Sequence, residues 1–274
     1  MSSILLWAAL GFYGLGVLLT LPSVIRRRGS LSKGALLALA AGLVLHGASL
    51  LVSGAQSHHL PVPVTDVRSA VSFFAFDVTA AFFLLYLRYR ITSLGLFTLP
   101  FVFLLALIAA LGPGPSFDSP SVRGNWLTVH IASTFLGYTG FFLTFVAAVM
   151  YLIQASALKS KSPNTFYYRL PSLEVCDRLY FYSLVLGNLF LAIGLVTGFV
   201  WASRTWQGSW ELDPKILASL VTWLIYLTLF STRLSGNWGG RRAAYGAIFG
   251  FAAVMVTFLG VTFLSGQHGF FPQP

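Results

Sequence analysis

Long apolar segments alternate with short polar connectors along the whole chain. Each segment has close to the about 20 residues that a helix needs to cross the hydrocarbon core of a bilayer. The pattern therefore predicts an all-α integral membrane protein, a bundle of about eight transmembrane helices that forms one polytopic domain over residues 1–274. The predicted spans are 3–25, 34–54, 68–87, 93–111, 126–156, 180–200, 216–231 and 243–264. The fifth span is longer than a bilayer requires, so its helix is expected to project from the membrane or to tilt.

Basic residues are distributed unevenly between the connectors. Thirteen of the 17 Lys and Arg residues fall on one side of the predicted membrane, in connectors 26–33, 88–90, 159–178 and 233–242. Only Arg68, Arg123, Arg204 and Lys215 fall on the other side. By the positive-inside rule the first side is cytoplasmic, which predicts a bacterial plasma (inner) membrane protein with both termini outside. The first span has no basic residue ahead of it and is long enough to cross, so we expect no cleaved signal.

Composition agrees with a membrane protein and excludes several functions. Charged residues make up 9% of the chain and hydrophobic residues 57%, with a mean hydropathy of +0.80, whereas a soluble domain has about 25% charged residues. The net charge of +10 is spread in short runs between spans, so we expect membrane lipids and no nucleic acid as partners. The single cysteine, Cys176, allows no internal disulfide, dithiol redox pair or covalent attachment of a c-type haem.

Motifs of classical catalysis are missing from the sequence. We find no phosphate-binding glycine loop, no HExxH and no paired carboxylates at useful spacing. The sequence therefore gives no support to a hydrolase or a kinase, and we expect a protein that binds rather than an enzyme.

The connector between the sixth and seventh spans is unusually rich in tryptophan. Trp201, Trp206 and Trp210 recur in an external loop over residues 201–215, beyond the predicted helix ends. Asp213 and Pro214 then suit the N-cap and first turn of the next helix. An ordinary aromatic belt at the bilayer interface would also enrich tryptophan. The alternative is a flat apolar platform outside the membrane, with the indole N–H groups facing water.

Histidines gather on the predicted outer side. His58 and His59 follow the second span, His130 lies in the first turns of the fifth, and His268 follows the eighth. Neutral imidazole is a common metal ligand and an axial ligand of haem iron. Two such residues beside an aromatic platform would make a bis-histidine haem site. For His58 and His59 a polar interface setting is the preferred interpretation, because both lie in a loop.

Two ionisable residues lie inside predicted spans, where such groups are costly and usually functional. His46 in the second span could be a second haem ligand, a proton relay or a structural hydrogen-bonding group. Asp77 in the third span must face the bundle interior, either protonated or paired, and His46 is one candidate partner. Two pairs of small residues, Gly194 with Gly198 and Gly246 with Gly250, predict close packing of helices or an oligomer contact.

Three motifs together resemble a known family, the haem-handling membrane proteins of cytochrome c assembly (the CcsA/CcmC/HemX group). Residues 125–130, NWLTVH, resemble the first external histidine motif of this group. Residues 258–261 and 266–269, FLGV and GQHG, resemble the second. The external tryptophan-rich "WWD" segment of the group is matched by Trp206, Trp210, Asp213, Pro214, Lys215 and Trp223. The pattern departs from the family at Leu212, where a Trp is usual, at Ile216, where an acidic residue is usual, and at the displaced Gly208.

The resemblance implies a site and a role. His130 and His268 would ligate the iron of haem b, bound stably or in transit, with Trp201, Trp206, Trp210 and Asp213 around the porphyrin and His46 as a site within the membrane. The protein would present haem for cytochrome c assembly, together with a CcsB-type protein that carries a large external domain.

Two other functions remain open at this stage. The departures point to the HemX-like branch, which would make the chain a regulator of a haem-biosynthetic enzyme through its longest cytoplasmic connector, about 157–179. A small-molecule or ion transporter that uses Asp77 and His46 is the third hypothesis.

Overall fold

The computed structural model describes residues 1–25, 31–57, 64, 66–112, 125–159, 167–205, 213–236 and 238–260. Every regular element in these ranges is helical, and the eight predicted helices are confirmed. They are α1 (Ser2–Ile25), α2 (Lys33–Ser57), α3 (Val67–Tyr89), α4 (Thr92–Leu111), α5 (Asn125–Lys159), α6 (Leu173–Thr205), α7 (Pro214–Leu234) and α8 (Arg241–Met255). A π-helical turn, Val256–Gly260, continues α8. All eight are long and apolar enough to cross a membrane, so the chain is a multi-pass membrane protein.

Two helices, α5 and α6, are much longer than a bilayer requires. α5 has 35 residues and α6 has 33, so each is about 50 Å long at a rise of about 1.5 Å per residue. The hydrocarbon core is about 30 Å thick. The extra length of α5 was predicted from the sequence, but that of α6 was not.

Helix α6 differs from its predicted span at both ends. It begins at Leu173 rather than near 180, because Ser172 caps it: its carbonyl oxygen accepts from the amide of Cys176 at 3.0 Å and its hydroxyl from that of Val175 at 3.4 Å. The first turns of α6 contain charged residues, including the ion-paired Glu174 and Arg178. A prediction based on apolar residues therefore places the start of this helix too late.

The other end of α6 corrects the prediction for the tryptophan-rich loop. The helix continues to Thr205, so Trp201 is helical and does not lie in a connector. No Gly or Pro occurs between Trp201 and Thr205 to end the helix. The predicted cytoplasmic connector is likewise shortened by helix at both ends, and it contains a 3₁₀ turn at Tyr167–Arg169.

The described helices divide between two compact units, one built on α1–α4 and one on α5–α8. In the first unit α1 packs on α2 and α4, and α3 packs on α2 and α4. Its core contains Tyr13, Phe74, Phe82 and Tyr86, all at most 1% exposed. Tyr86 also accepts a hydrogen bond from the amide of Leu31 at 2.7 Å. The prediction of one polytopic domain over the whole chain stays a prediction.

In the second unit α5 and α6 are antiparallel and touch along their backbones. A Cβ atom placed on Gly140 would lie 2.7 Å from the Cα of Gly187, and one on Gly137 would lie 2.9 Å from the amide nitrogen of Leu191. Small residues permit this approach, which in lipid supplies much of the packing energy between helices. Thr144 and Ser183 add a hydrogen bond at 3.0 Å across the same contact.

Both predicted glycine pairs pack inside this unit. Gly194 and Gly198 on α6 face Thr134 and His130 of α5, while Gly246 and Gly250 on α8 face Leu229 and Tyr226 of α7. Tyr226 also stacks on Phe141 of α5, with ring centroids 3.5 Å apart. The prediction of close intramolecular packing at both pairs is therefore confirmed.

Substitution of Gly140 by Ala should destabilise the second unit by about 1–3 kcal/mol, because the added methyl group would meet backbone that cannot rotate away. The expected result is a lower midpoint of thermal unfolding in detergent. Gly11→Ala is the matched control, since a Cβ at Gly11 would meet nothing within 4 Å. Equal midpoints for the two variants would contradict the backbone contact.

Candidate functional site

Four helix ends of the second unit meet at one end of it. They are the start of α5, the end of α6, the start of α7 and the π-helical turn after α8. The antiparallel contacts that establish this are Gly137 with Leu191, Asn188 with Tyr226, Thr222 with Thr257, and Phe135 with Phe258. We call this end, which holds His130, Trp201 and Asp213, the site end.

His130 of α5 sits against the backbone of α6. Its Nδ1 atom lies 2.7 Å from the carbonyl oxygen of Gly194. A Cβ atom on Gly198, one turn further along α6, would lie 2.5 Å from the same nitrogen. Gly198 therefore provides the space that the imidazole ring occupies, and Gly194 provides the acceptor.

The partner of His130 fixes the tautomer of its ring. A carbonyl oxygen can only accept, so Nδ1 must carry the proton and donate it. In the neutral ring the lone pair is then on Nε2. Metal-ligating histidines commonly have this arrangement, in which one ring N–H is bound to a backbone carbonyl and the other nitrogen can take the metal. The half-buried His130 thus has the donor chemistry that haem iron requires.

Aromatic and charged side chains surround the start of α5 and the end of α6. The guanidinium of Arg204 lies over the ring of Trp126, 5.5 Å from its centroid. Such a contact is worth about 0.5–1 kcal/mol at an exposed site. Trp201 lies on α6 three residues beyond Gly198, so the structure brings it to the same end as His130.

Asp213 forms the N-cap of α7, as predicted. Its carboxylate accepts from the amide of Lys215 at 2.9 Å, Pro214 occupies the first turn, and Asp213 is only 6% exposed. A buried carboxylate at a helix N-terminus is stabilised by the helix dipole and by unpaired amide groups. This cap fixes the point at which the tryptophan-rich connector enters α7.

His46 belongs to the first unit and is fully buried. Its Nδ1 lies 3.1 Å from the hydroxyl of Tyr13 and its Nε2 lies 2.9 Å from the hydroxyl of Ser72. Its ring meets those of Tyr13 and Phe76 edge-on. Both ring nitrogens are therefore hydrogen-bonded, and none of these bonds involves Asp77.

Asp77 occupies the middle of α3 and is half-buried. Its Oδ2 atom is shielded from solvent and has no hydrogen-bond partner among the residues that the structure describes. The structure thus gives no pairing of Asp77 with His46, and a transport function that uses both stays a prediction.

Several predicted site residues lie outside the described residues. These are His268, Trp206, Trp210, His58 and His59. Of the predicted haem site, the structure therefore places His130, Trp201 and Asp213 at the site end, and His46 in the other unit.

Sequence reasoning missed the groups that orient the histidines. The acceptor for His130 is a main-chain carbonyl, which has no sequence signal beyond the glycine pair that lets it approach. Tyr13 and Ser72, the partners of His46, lie in apolar spans and are at most 5% exposed. A hydroxyl buried in an apolar span needs a hydrogen-bond partner. These hydroxyls could therefore have been predicted to bond to a polar group inside the bundle, such as His46.

Comparison with known proteins relates the chain to proteins of cytochrome c assembly. A family model described as "Cytochrome C assembly protein" matches residues 3–268. The chain is 27% identical over 294 residues to the cytochrome c biogenesis protein CcsA of Synechococcus sp. (strain CC9605), a match that covers 96% of this chain and 95% of that protein.

Two further relatives have the same description. CcsA of Microcystis aeruginosa is 28% identical over 258 residues, covering 76% of this chain and 79% of that protein. CcsA of Guillardia theta is 31% identical over 169 residues, and there the match covers 55% of this chain and only 56% of the relative. The chain thus matches some relatives along almost their whole length and others along about half.

Asp213→Ala should loosen the start of α7, at a cost of about 1 kcal/mol for the lost cap. Hydrogen exchange at the amides of Lys215 and Leu217 should become faster, because both amides bond to Asp213. Asp213→Asn keeps a capping oxygen and is the control, with exchange close to wild type. Equally fast exchange in both variants would show that the negative charge, and not the cap, is what matters.

Proposed function

The chain belongs to the cytochrome c assembly protein family, and we propose that it holds haem at the outer face of a bacterial plasma membrane for delivery during cytochrome c assembly. His130 and His268 would ligate the iron, and Trp201, Trp206 and Trp210 would cover the porphyrin. The observation that carries the proposal is the 2.7 Å bond from His130 to the carbonyl of Gly194. In the neutral tautomer that this bond requires, the lone pair is on Nε2, which would be the nitrogen that holds iron.

The convergence of helix ends supports His268 as the second ligand. The π-helical turn ends at Gly260, at the site end. Seven residues lie between Gly260 and His268, and an extended chain covers about 3.5 Å per residue. His268 can therefore reach the end of the unit where His130 lies. His268 would then be the second residue that holds the iron.

Charge distribution supports the outward orientation of the site end. Arg233, Arg241 and Arg242 lie at the opposite end of the second unit, where Arg233 pairs with Asp177. The site end has Arg204 and Lys215 as its described basic residues. By the positive-inside rule the opposite end faces the cytoplasm. Haem would then be held outside, where apocytochromes are completed.

The work of the protein in this proposal is binding and orientation. Haem would bring the redox-active iron, and the chain would supply two imidazoles and aromatic cover. Asp213 caps the start of α7 and directly follows the tryptophan-rich connector in the sequence. No covalent step is assigned to a residue of the chain, so it would act as a carrier and not as a classical enzyme.

His46 would hold haem b in transit within the membrane. Its Nε2 lies 2.9 Å from the hydroxyl of Ser72, so binding of iron there would require this contact to open. A CcsB-type protein would then be the partner on the outer side. A HemX-like action on a haem-biosynthetic enzyme stays a prediction from the resemblance, since the relatives described above are CcsA proteins.

Combined substitution His130→Ala/His268→Ala should lower the haem content of the purified protein by at least about tenfold, because both axial ligands are lost. Pyridine haemochrome quantitation and the Soret band of the detergent-purified protein measure this. His58→Ala/His59→Ala removes two histidines that we place outside the site, and its haem content should match wild type. A double ligand variant with full haem content would refute the external site.

Gly198→Ala should weaken haem binding without removing a ligand. The added methyl group would overlap the His130 ring at 2.5 Å and break the bond to Gly194. Loss of such an orienting bond typically costs about 10- to 100-fold in metal affinity. Haem titration in detergent measures the affinity, and Gly246→Ala, which would meet only the flexible end of Leu229, is the control. Unchanged affinity in Gly198→Ala would mean that His130 is not a ligand.

A further inference from the structure

The outermost turns of α5 and α6 hold an aromatic residue and an arginine that the proposed ligation of iron does not use. Trp126 lies in the first turn of α5 and Arg204 in the last turn of α6, and the guanidinium lies 5.5 Å from the centroid of the Trp126 ring. Both side chains are exposed, that of Trp126 by 43%. The pair therefore forms a cationic surface at the site end.

Trp126 and His130 share one face of α5. They are four residues apart, so their side chains lie one above the other, about 6 Å apart along the helix axis. His130 is the inner of the two, and its ring lies against Gly194 and Gly198 of α6. Arg204 follows Gly198 toward the same helix end. The pair thus lies beside His130, about one helical turn closer to the end of the unit.

The charge of Arg204 is not neutralised by a carboxylate among the residues that the structure describes. Both ion pairs of these residues lie at the opposite end of the second unit. The acidic residue described at the site end is Asp213, whose carboxylate caps α7. Arg204 therefore keeps its positive charge for an anion from outside the described chain.

The tryptophan ring orients the guanidinium without using its hydrogen-bond donors. A guanidinium that packs its flat face on an aromatic ring keeps its N–H groups around its edge, in its own plane. These groups form a fork that matches the two oxygens of a carboxylate. Trp126 thus fixes the position of Arg204 and leaves the donors of Arg204 available to a carboxylate.

The chemistry of haem matches this arrangement. Haem combines an iron that binds imidazole with a flat apolar ring and, at one edge of that ring, propionate carboxylates. The described part of α5 has an imidazole at His130 and, one turn further out, an aromatic ring under a guanidinium. If the iron lies at His130 and the propionate edge faces outward, a propionate meets Arg204.

We propose that Arg204 binds a propionate carboxylate of haem and that Trp126 is a positioning residue that holds the guanidinium for this contact. The inference rests on the proposed binding of haem at the site end, and it assigns the orientation of the haem, with its propionates outward. Lys215, the other basic residue described at this end, is half-buried and follows the Asp213 carboxylate by two residues. Arg204 is therefore the cation that we assign.

Haem dimethyl ester tests the contact, because esterification removes the propionate charges and keeps the iron and the ring. The full chain in detergent is titrated with haem and with the ester, as wild type and as Arg204→Gln. The substitution should weaken haem binding by about fivefold, the upper value for an exposed ion pair, and should leave ester binding unchanged. Each comparison uses one porphyrin, so differences in partition into micelles cancel.

A matched control removes the same charge elsewhere in the second unit. Arg242 is also exposed and lies at the opposite end, in the first turn of α8, so Arg242→Gln should change neither affinity. Arg204→Lys keeps the charge but not the fork, and its haem affinity should lie between those of wild type and Arg204→Gln. Added salt should weaken haem binding more in wild type than in Arg204→Gln.

Trp126→Leu tests the positioning role. It removes the ring that holds Arg204, so haem affinity should fall more than ester affinity. In the double variant Trp126→Leu/Arg204→Gln, the ratio of haem affinity to ester affinity should be no lower than in Arg204→Gln alone, because both residues act through one contact. Independent losses that multiply in this ratio would show that Trp126 does not position Arg204.

The outcomes distinguish this inference from the proposed function. Equal losses for haem and ester in Arg204→Gln would overturn the propionate contact. No loss for either porphyrin would also overturn it and is expected if Arg204 meets only lipid headgroups. Loss of haem in His130→Ala/His268→Ala would in both cases leave the proposed function standing.

The reverse pattern is equally informative. Full haem content in the double histidine variant, together with a haem-specific loss in Arg204→Gln, would refute the ligation of iron and retain the propionate contact. A wild-type chain that binds neither porphyrin would overturn both proposals.

Discussion

The backbone contact between α5 and α6 is the constraint on which the second unit depends. Without side chains between them at Gly140 and Gly187, the helices come close enough for a side chain of one to reach a carbonyl of the other. The His130–Gly194 bond is such a contact. In lipid, where apolar side chains gain nothing by leaving water, this approach is also a principal source of cohesion. The stability of the unit and the orientation of the His130 ring therefore share one origin.

The first unit orients a buried histidine with side chains. The ring of His46 on α2 lies between the hydroxyls of Tyr13 on α1 and Ser72 on α3. Polar groups in an apolar region are costly unless they are hydrogen-bonded, so these three side chains stabilise one another. His46 thus has side-chain partners, whereas the partner of His130 is a main-chain carbonyl.

Helix number and the cap of α7 could be predicted from the sequence, for identifiable reasons. Apolar length marked all eight helices, and Asp213 with Pro214 marked the start of α7. The start of α6 at Leu173 could not be read from hydropathy, since Glu174 and Arg178 lie outside the apolar window yet inside the helix. Trp201 was misplaced for the same reason: a helix leaving the hydrocarbon core does not end there. The partners of His46 were missed because single hydroxyl residues within an apolar segment do not change its hydropathy pattern.

At Gly194 the contact with His130 restricts the size of the residue but not its chemical type. The atom that meets His130 is a main-chain oxygen, which every amino acid possesses, so no substitution removes it from the chemistry. What a substitution adds is bulk, and a Cβ at this position would lie 2.6 Å from Thr134 Oγ1. Selection at such a position would act against any larger side chain, whether polar or apolar. Drift there would be restricted by volume, although the residue contributes no side chain to the contact with His130.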